Sequence, residues 1–315
     1  MKEKILEILR EKRYVSGEKL AKELGVSRSA VWKHINNLRE QGYNIESRKG
    51  RGYKLVSHPD YPTREEILSR IKTNIIGRGY YYYPILDSTN THAKTFVEKK
   101  SLEGTIIVAE EQKHGRGRKS RNWFSPPNGL WFSIILYPRI PPDYSMIITM
   151  AFSVAIAEAI EELLEIKPRI KWPNDLLINN KKVCGILTEI DAELDEIHHL
   201  IVGVGLNVNN DLDDSIRDIA TSLKLEYGKP ISRILLFQRI IEKLDYYYQR
   251  VIDKDYDLIR EKWFQYSNIL GKDIKVSMED KTIYGRVVDV DTKGRLHLIT
   301  EGGKIEVIAG DIEYI

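Results

Sequence analysis

Residues 27–55 read SRSAVWKHINNLREQGYNIESRKGRGYKL, and the period of their apolar residues changes once along the stretch. Val31, Ile35 and Leu38 recur at helical spacing behind Ser27, a good N-cap, and predict a helix running to about Gln41 that Gly42 ends. From Tyr43 onward the pattern alternates around Gly50 and Gly52, as a two-stranded hairpin does. Toward the N-terminus, Ser16 caps a short helix over residues 19–24 that stops at Gly25, and Ile5, Leu6, Ile8 and Leu9 give a first helix one apolar face. Helix, short helix, glycine turn, helix and hairpin make the layout of a winged helix-turn-helix. The outer side of the third helix carries Ser27, Arg28, Ser29, Lys33, His34 and Asn36, and Arg48, Lys49 and Arg51 crowd the hairpin tip. Side chains of these types contact phosphates and base edges in DNA grooves, so Ser27, Arg28, Ser29, Lys33, Asn36, Arg48, Lys49 and Arg51 form the candidate DNA-binding set. The same charges also suit the solvated surface of a protein-binding adaptor.

The charge balance separates this head from the rest. Residues 1–56 hold 14 Lys/Arg against 7 Asp/Glu, while the remainder holds 35 against 39, so the net +3 hides a basic head on a mildly acidic body. A polyanionic partner is therefore expected for the head only. Cys184 is the single cysteine, which rules out an intrachain disulfide or a cysteine metal cage and fits a reducing cytoplasm. The N-terminal MKEKILEILREKR is charged throughout, unlike a signal peptide, and no apolar run is long enough to span a bilayer.

Beyond the head, His58, Pro59 and Pro62 mark a linker, and residues 63–66, TREE, form a capping box that opens a new helix. The expected domains are 1–60, 61–270 and 271–315. In the second, strands are expected at 79–86, 104–110, 129–138, 169–171, 175–190 and 197–208, the fifth folding back at Asn179-Asn180. Helices are expected at 90–100, 143–165, 232–252 and 255–268. This mixture predicts an α+β domain, a mixed sheet with helices on one side. Residues 271–315 alternate around Gly285, Gly294 and Gly302-Gly303, as a small all-β barrel or sandwich does.

The sharpest chemical signal is GRGRKSRNW, residues 115–123, directly after a predicted strand. Glycines let backbone wrap closely round a ligand, and arginine's forked donors match phosphate and carboxylate. Repulsion among Arg116, Arg118, Lys119 and Arg121 is expected to keep the loop mobile until an anion orders it. By itself the loop reads equally as a basic surface or an RG-rich nucleic-acid segment. It is accompanied, in one order, by DSTN (87–90), EEQKHGRGR (110–118), KWPND (171–175), KKVCGILTE (181–189), GVGLNVN (203–209) and ATSL (220–223). GVGLNVN lacks the third glycine and the following helix of a dinucleotide fingerprint. As an ordered set these motifs resemble the biotin–protein ligase family over essentially the whole chain, and SRSAVWKHINNLREQG with SRKGRGYKL resembles the winged head of biotin-operon repressors.

The resemblance implies a class II synthetase-like catalytic domain and an SH3-like C-terminal domain. It assigns biotin's ureido ring to Ser88, Thr89, Asn90 and Gln112, and neutral hydroxyls and amides do suit a cyclic urea. Gly115, Arg116, Gly117 and Trp123 would line the same pocket, and Arg118 and Lys182 would be the catalytic pair facing the reacting carboxylate and phosphate. ATP would be held by Arg118, Lys119, Arg121, Asn174, Asp175, Asn207, Thr221 and Ser222, with Mg²⁺ arriving on ATP, Asp175 its candidate ligand, and no dedicated metal site. On residue type alone, Ser88–Asn90 also fit a helix cap, Trp123 a core position and Lys182 an exposed strand end. The implied reaction joins biotin's carboxylate to the α-phosphorus of ATP, releasing pyrophosphate, and passes biotin from biotinyl-5′-AMP to a lysine of a biotin carboxyl carrier protein. Fixed cations would offset the repulsion between two anionic reactants. The family also implies operator DNA as a partner of the head, biotinyl-5′-AMP as co-repressor, and a homodimer formed on ligand binding.

Two positions depart from the family's loop: Ser120, often a glycine, and Asn122, often basic. Trp32 departs from other members on the recognition helix. The rival readings are a transcription factor that only senses a small molecule, a lipoate ligase, and a nucleic-acid-end enzyme, the last without a KxDG lysine motif.

Overall fold

The computed structural model describes residues 1–315 apart from 12, 41, 58, 100, 279 and 280, and only the backbone of residue 3. The expected helix end at Gln41 and the linker residue His58 lie outside the described residues. The chain forms two compact units, Met1–Ile71 and Lys72–Ile315.

In the first unit, α1 (Lys2–Glu11), α2 (Gly17–Leu24) and α3 (Arg28–Glu40) precede a hairpin of β1 (Asn44–Arg48) and β2 (Gly52–Ser57). Ser16 caps α2 by accepting from the Lys19 N–H at 3.1 Å, and Ser27 caps α3 through the Ala30 N–H at 3.2 Å. The predicted apolar faces meet in one core of Ile5, Leu6, Leu9, Leu20, Val31, Ile35 and Leu38, closed by Tyr43 and Ile45 from the hairpin side. Val15 adds a bridge to Tyr53, and Gly52 (φ 100°) permits it, since a Cβ there would lie 2.1 Å from the Val15 carbonyl oxygen. The helix opened by Thr63, α4 (Arg64–Leu68), belongs to this unit. Its buried Glu66 accepts from the Tyr43 hydroxyl at 2.6 Å and pairs with Arg10. Local sequence placed a boundary at the proline-marked linker, whereas compactness places the break at Ile71, because Glu66 ties the helix back to the head.

The second unit is built on a seven-stranded mixed sheet. Its strands are β3 (Tyr80–Leu86), β4 (Thr105–Gln112), β5 (Leu130–Leu136), β6 (Arg169–Lys171), β7 (Asp175–Ile178), β8 (Lys181–Ala192) and β9 (Ile197–Leu206), in the order β3-β4-β5-β9-β8-β7-β6. Only β3 and β4 run parallel; the remaining pairs are antiparallel. The predicted reversal at Asn179-Asn180 is present, both residues having positive φ.

Helix placement refines the expectation of one-sided packing. Along β5, Phe132 meets Phe237, while its neighbour Ser133 faces Thr89 and Asn90. The long helices α6 (Ser145–Leu164), α8 (Arg233–Ile252) and α9 (Tyr256–Tyr266) therefore share the Phe132 face, and α5 (Thr89–Glu98) lies on the opposite one. A short α7 (Leu223–Tyr227) follows β9. The tail forms a second sheet of β10 (Asp273–Ser277), β11 (Thr282–Val290), β12 (Leu296–Thr300), β13 (Gly303–Val307) and β14 (Asp311–Tyr314), ordered β13-β12-β11-β10-β14 and antiparallel throughout. No helix among the described residues is long and apolar enough to cross a membrane.

Candidate active site

On the α5 face of the sheet lies a cleft of about 1140 Å³. Its floor is made of glycines on adjacent strands: Gly185 pairs with Gly205, two residues along from Gly203. A Cβ on Gly203 would lie 2.0 Å from Asn90 Oδ1, and one on Gly205 would lie 2.3 Å from Trp123 Nε1. The glycines of GVGLNVN thus seat Asn90 and Trp123 on bare backbone, a different task from holding a dinucleotide.

One end of the cleft is polar and neutral. Ser88 caps α5 through the Thr91 N–H at 3.4 Å, so the helix-cap reading of this motif is realised. The next two residues, Thr89 and Asn90, line the cleft with Ser88, although all three are buried. Gln112 Oε1 accepts from the Thr89 backbone N–H (2.8 Å) and hydroxyl (3.1 Å), and its amide donates to Ser125 Oγ at 2.8 Å. Ser133 Oγ lies 2.7 Å from Thr89 Oγ1 and 2.6 Å from Asn90 Oδ1. Fixed amides and hydroxyls of this kind recognise an uncharged hydrogen-bonding ring. Ser125 and Ser133 stand outside the set expected from sequence. For Ser133 a signal existed, since it is the one polar residue in LWFSIIL and a buried hydroxyl needs a partner.

The other end carries Arg118, Arg121 and Lys182, each with an acidic partner. The basic loop folds as a narrow hairpin, with the Trp123 N–H donating to the Gly115 carbonyl at 2.8 Å and the Gly117 N–H to the Arg121 carbonyl at 2.7 Å. The loop's cations have an acidic partner that the sequence did not suggest. Asp311, at the start of β14, pairs with Arg121 (2.5 Å), Lys119 (3.4 Å) and Arg118 (3.9 Å) and relieves their repulsion inside the unit. Burial pushes the Asp311 carboxyl up, but the Arg121 hydrogen bond and the charges of Arg121, Lys119 and Arg118 outweigh it and hold it below the usual carboxylate range. Arg118 also donates to Asn174 Oδ1 at 3.1 Å and to the Gly310 carbonyl at 3.2 Å. Asp311 left no signal in the sequence, its partners lying some 190 residues away.

Lys182 sits where β8 bulges opposite Leu176 and Leu177, a device that re-aims a side chain. Its ammonium lies 2.7 Å from Asp175 Oδ1 and 5.0 Å from the centre of the Trp123 ring. Among the described residues, buried Trp123 Nε1 has no hydrogen-bond partner, and it lies against Gly205. Arg116 donates to Glu189 at 3.0 Å, a residue outside the predicted set.

Of the predicted small-molecule residues, the cleft gathers Ser88, Thr89, Asn90, Gln112, Gly115, Arg116, Gly117, Arg118, Arg121, Trp123, Asn174, Asp175, Lys182 and Asn207. It does not gather three. Lys119 turns to Asp311, Thr221 donates to Glu226, and Ser222 is buried as the α7 cap, so Ile219 and Ala220 line the cleft in place of the last two. Asn207 spends its amide on the Thr221 carbonyl at 3.0 Å and accepts from Asn210 at 3.2 Å, which fixes this wall. In the other unit, Ser27 is exposed as the α3 cap, Arg28, Ser29 and Lys33 are exposed on α3, Asn36 is half-buried and accepts from Arg39, and Arg48, Lys49 and Arg51 are exposed at the hairpin tip.

A winged head joined to a sheet-and-cleft domain with a neutral ring pocket and a cationic mouth defines the class of adenylating ligases that also carry a DNA-reading module. Comparison with known proteins agrees, segment by segment. Residues 2–54 match the HTH domain, 82–207 the biotin/lipoate A/B protein ligase family, and 269–314 the biotin protein ligase C-terminal domain. The bifunctional ligase/repressor BirA of Bacillus subtilis (strain 168) is 39% identical over 304 residues, covering 95% of this chain and 94% of that one. The Escherichia coli protein of the same name is 28% identical over 302 residues, 95% and 92% of the two chains. The biotin protein ligase from Aquifex aeolicus in complex with biotin and ATP superposes with a TM-score of 0.66 at 29% identity, covering 76% of this chain and 99% of that one. The chain belongs to the bifunctional biotin ligase/repressor family.

Proposed function

We infer that this protein is an ATP-dependent biotin–protein ligase and a biotin-responsive repressor. The observation that carries the enzymatic half is the juxtaposition in one cleft of an uncharged pocket, Ser88–Asn90 with Gln112, and a cationic mouth built from Arg118, Arg121 and Lys182. The pocket suits biotin's cyclic urea and the mouth suits a carboxylate meeting a triphosphate. Lys182, held between Asp175 and Trp123, is placed to stabilise negative charge on the carboxyl oxygen, both as biotin attacks the α-phosphorus and as the carrier's lysine amine attacks the mixed anhydride. Arg118, anchored on Asn174, would stay beside the adenylate between the two steps. Ile219, whose carbonyl accepts from the Lys182 N–H, and Ala220 would support the adenosine side in place of the Thr221 and Ser222 hydroxyls. Among the described residues no group of three or more His, Cys, Asp or Glu could hold a metal by itself. Mg²⁺ carried in on ATP keeps most of its water and needs one or two protein carboxylates, which Asp175 at the cleft provides; when bound it would neutralise phosphate charge.

The test is incubation with biotin, labelled ATP and a carrier domain. AMP release with biotin transferred to the carrier is expected; no transfer would leave a sensor, and transfer of lipoate in competition would leave a lipoate ligase. For the second half, the basic recognition helix and wing support operator DNA as the head's partner, with biotinyl-5′-AMP as co-repressor and a homodimer pairing two heads on a two-fold site. Biotin with ATP should then raise both dimerisation and operator affinity. Identical sedimentation and binding curves with and without ligand would sink this coupling and leave the ligase standing.

A further inference from the structure

We propose that Glu189 is a positioning residue for biotin recognition, pinning the floor of the ring pocket and the near end of the basic loop to one carboxylate. The proposal rests on the ligase reading above.

Three side chains from two elements converge on Glu189. From α5, Asn90 Nδ2 donates at 2.8 Å and Lys94 Nζ at 3.1 Å; from the basic loop, Arg116 Nη1 donates at 3.0 Å. Glu189 is itself on β8, on the same face as Leu187 and Gly185. It does not line the cleft, whereas Asn90 and Arg116 do. An asparagine amide is nearly symmetric in shape, so its hydrogen bonds decide which end faces a ligand. Here the NH₂ end is claimed by Glu189 and by the Leu187 carbonyl at 3.4 Å, and Oδ1 is turned toward Ser133. An anionic acceptor makes that orientation much stronger than a neutral one would. Gly203 makes this seat possible, since Asn90 Oδ1 occupies the space a Cβ would fill.

The loop is fixed by the same carboxylate. Arg116 is held by Glu189, and two residues on, past an extended Gly117 (φ −113°, ψ −177°), Arg118 crosses to Asn174 and Gly310. The loop is a strap anchored at both ends, with Glu189 at the ring end and Asp311 at the phosphate end. Burial pushes the Glu189 carboxyl up, but the hydrogen bonds from Asn90 and Lys94 and the charge of Arg116 prevail and hold it below the usual carboxylate range.

The experiment uses the full chain with three variants: Glu189→Gln, Lys94→Met and Arg116→Gln. Biotin affinity is measured by calorimetry without ATP, and KM for biotin, KM for ATP and kcat by pyrophosphate release. For Glu189→Gln, biotin Kd and KM should rise about tenfold or more, the scale of one charge-assisted hydrogen bond, with KM for ATP and kcat within a few-fold of wild type. Lys94→Met, which removes only the half-exposed partner, should leave biotin binding near wild type. In the cycle with Arg116→Gln, the double variant should be less impaired than the product of the two single effects. Unchanged biotin binding in Glu189→Gln overturns the proposal, as does an equal defect in Lys94→Met, which would make Glu189 a mere anchor of α5. Should Glu189→Gln fail to fold, Glu189→Asp takes its place with the same criteria. Absence of biotin-dependent turnover in the wild type would instead overturn the ligase reading, so the two failures are distinct.

Discussion

Gly203 and Gly205 show how much chemistry a missing side chain can carry. The amide of Asn90 and the indole of Trp123 rest directly on their backbone, and Gly203→Ala would force a Cβ to 2.0 Å from Asn90 Oδ1. Overpacking of this kind costs about 1–3 kcal/mol, and here the displaced group is a recognition group. Gly203→Ala should therefore lose biotin binding out of proportion to its drop in melting temperature; calorimetry beside thermal unfolding measures the ratio. Arg118 and Lys182 separate by role in the same way. Arg118→Ala can no longer reach Asn174 and should let free biotinyl-5′-AMP escape, detected by chromatography of the reaction without carrier. Lys182→Ala should keep biotin KM near wild type and lower kcat by about 10²–10³, as removal of a transition-state charge partner does.

At the level of elements, the basic loop and β14 form one working part. Three cations close to one another would repel, and Asp311 makes their hairpin a local minimum. Because the Asp311 carboxyl is held below its ordinary range, its stabilisation is in force above that range and is lost as pH falls through the depressed value. Protection of residues 116–122 against hydrogen exchange, taken relative to the intrinsic rate at each pH, should fall as pH drops through that depressed value in the wild type, and should already be low near neutral pH in Asp311→Asn. Equal exchange in both proteins at neutral pH would show that the hairpin holds without this carboxylate. The β8 bulge is a second working part: the extra residue, Val183, puts Lys182 on the cleft side with Gly185, where an unbroken ladder would have put Val183.

The whole molecule divides its work between two compact units whose charges differ in sign. Exposed Arg28 and Lys33 belong to the basic unit and stand outside the cleft. Arg28→Ala and Lys33→Ala should weaken DNA binding and reduce the salt slope by about one for each phosphate left without its cation, while biotin transfer to the carrier stays at the wild-type rate. Filter binding across a salt series together with a transfer assay checks both halves. A drop in ligation in these variants would mean that the units depend on each other for folding.

Much of this protein was legible in the chain because periodicity and capping are local. Val31, Ile35 and Leu38 announced their core, the breaks at Gly25 and Asn179-Asn180 announced their turns, and the ordered motifs from DSTN to GVGLNVN announced the cleft. What the order of residues could not state is who stands opposite whom. Asp311 meets the basic loop across some 190 residues and Glu189 meets Arg116 across 73; Thr221 and Ser222 turn inward, and Glu66 draws its helix onto the head. Those pairings depend on how strands are shuffled into a sheet and which face each one shows, and only the folded chain fixes that.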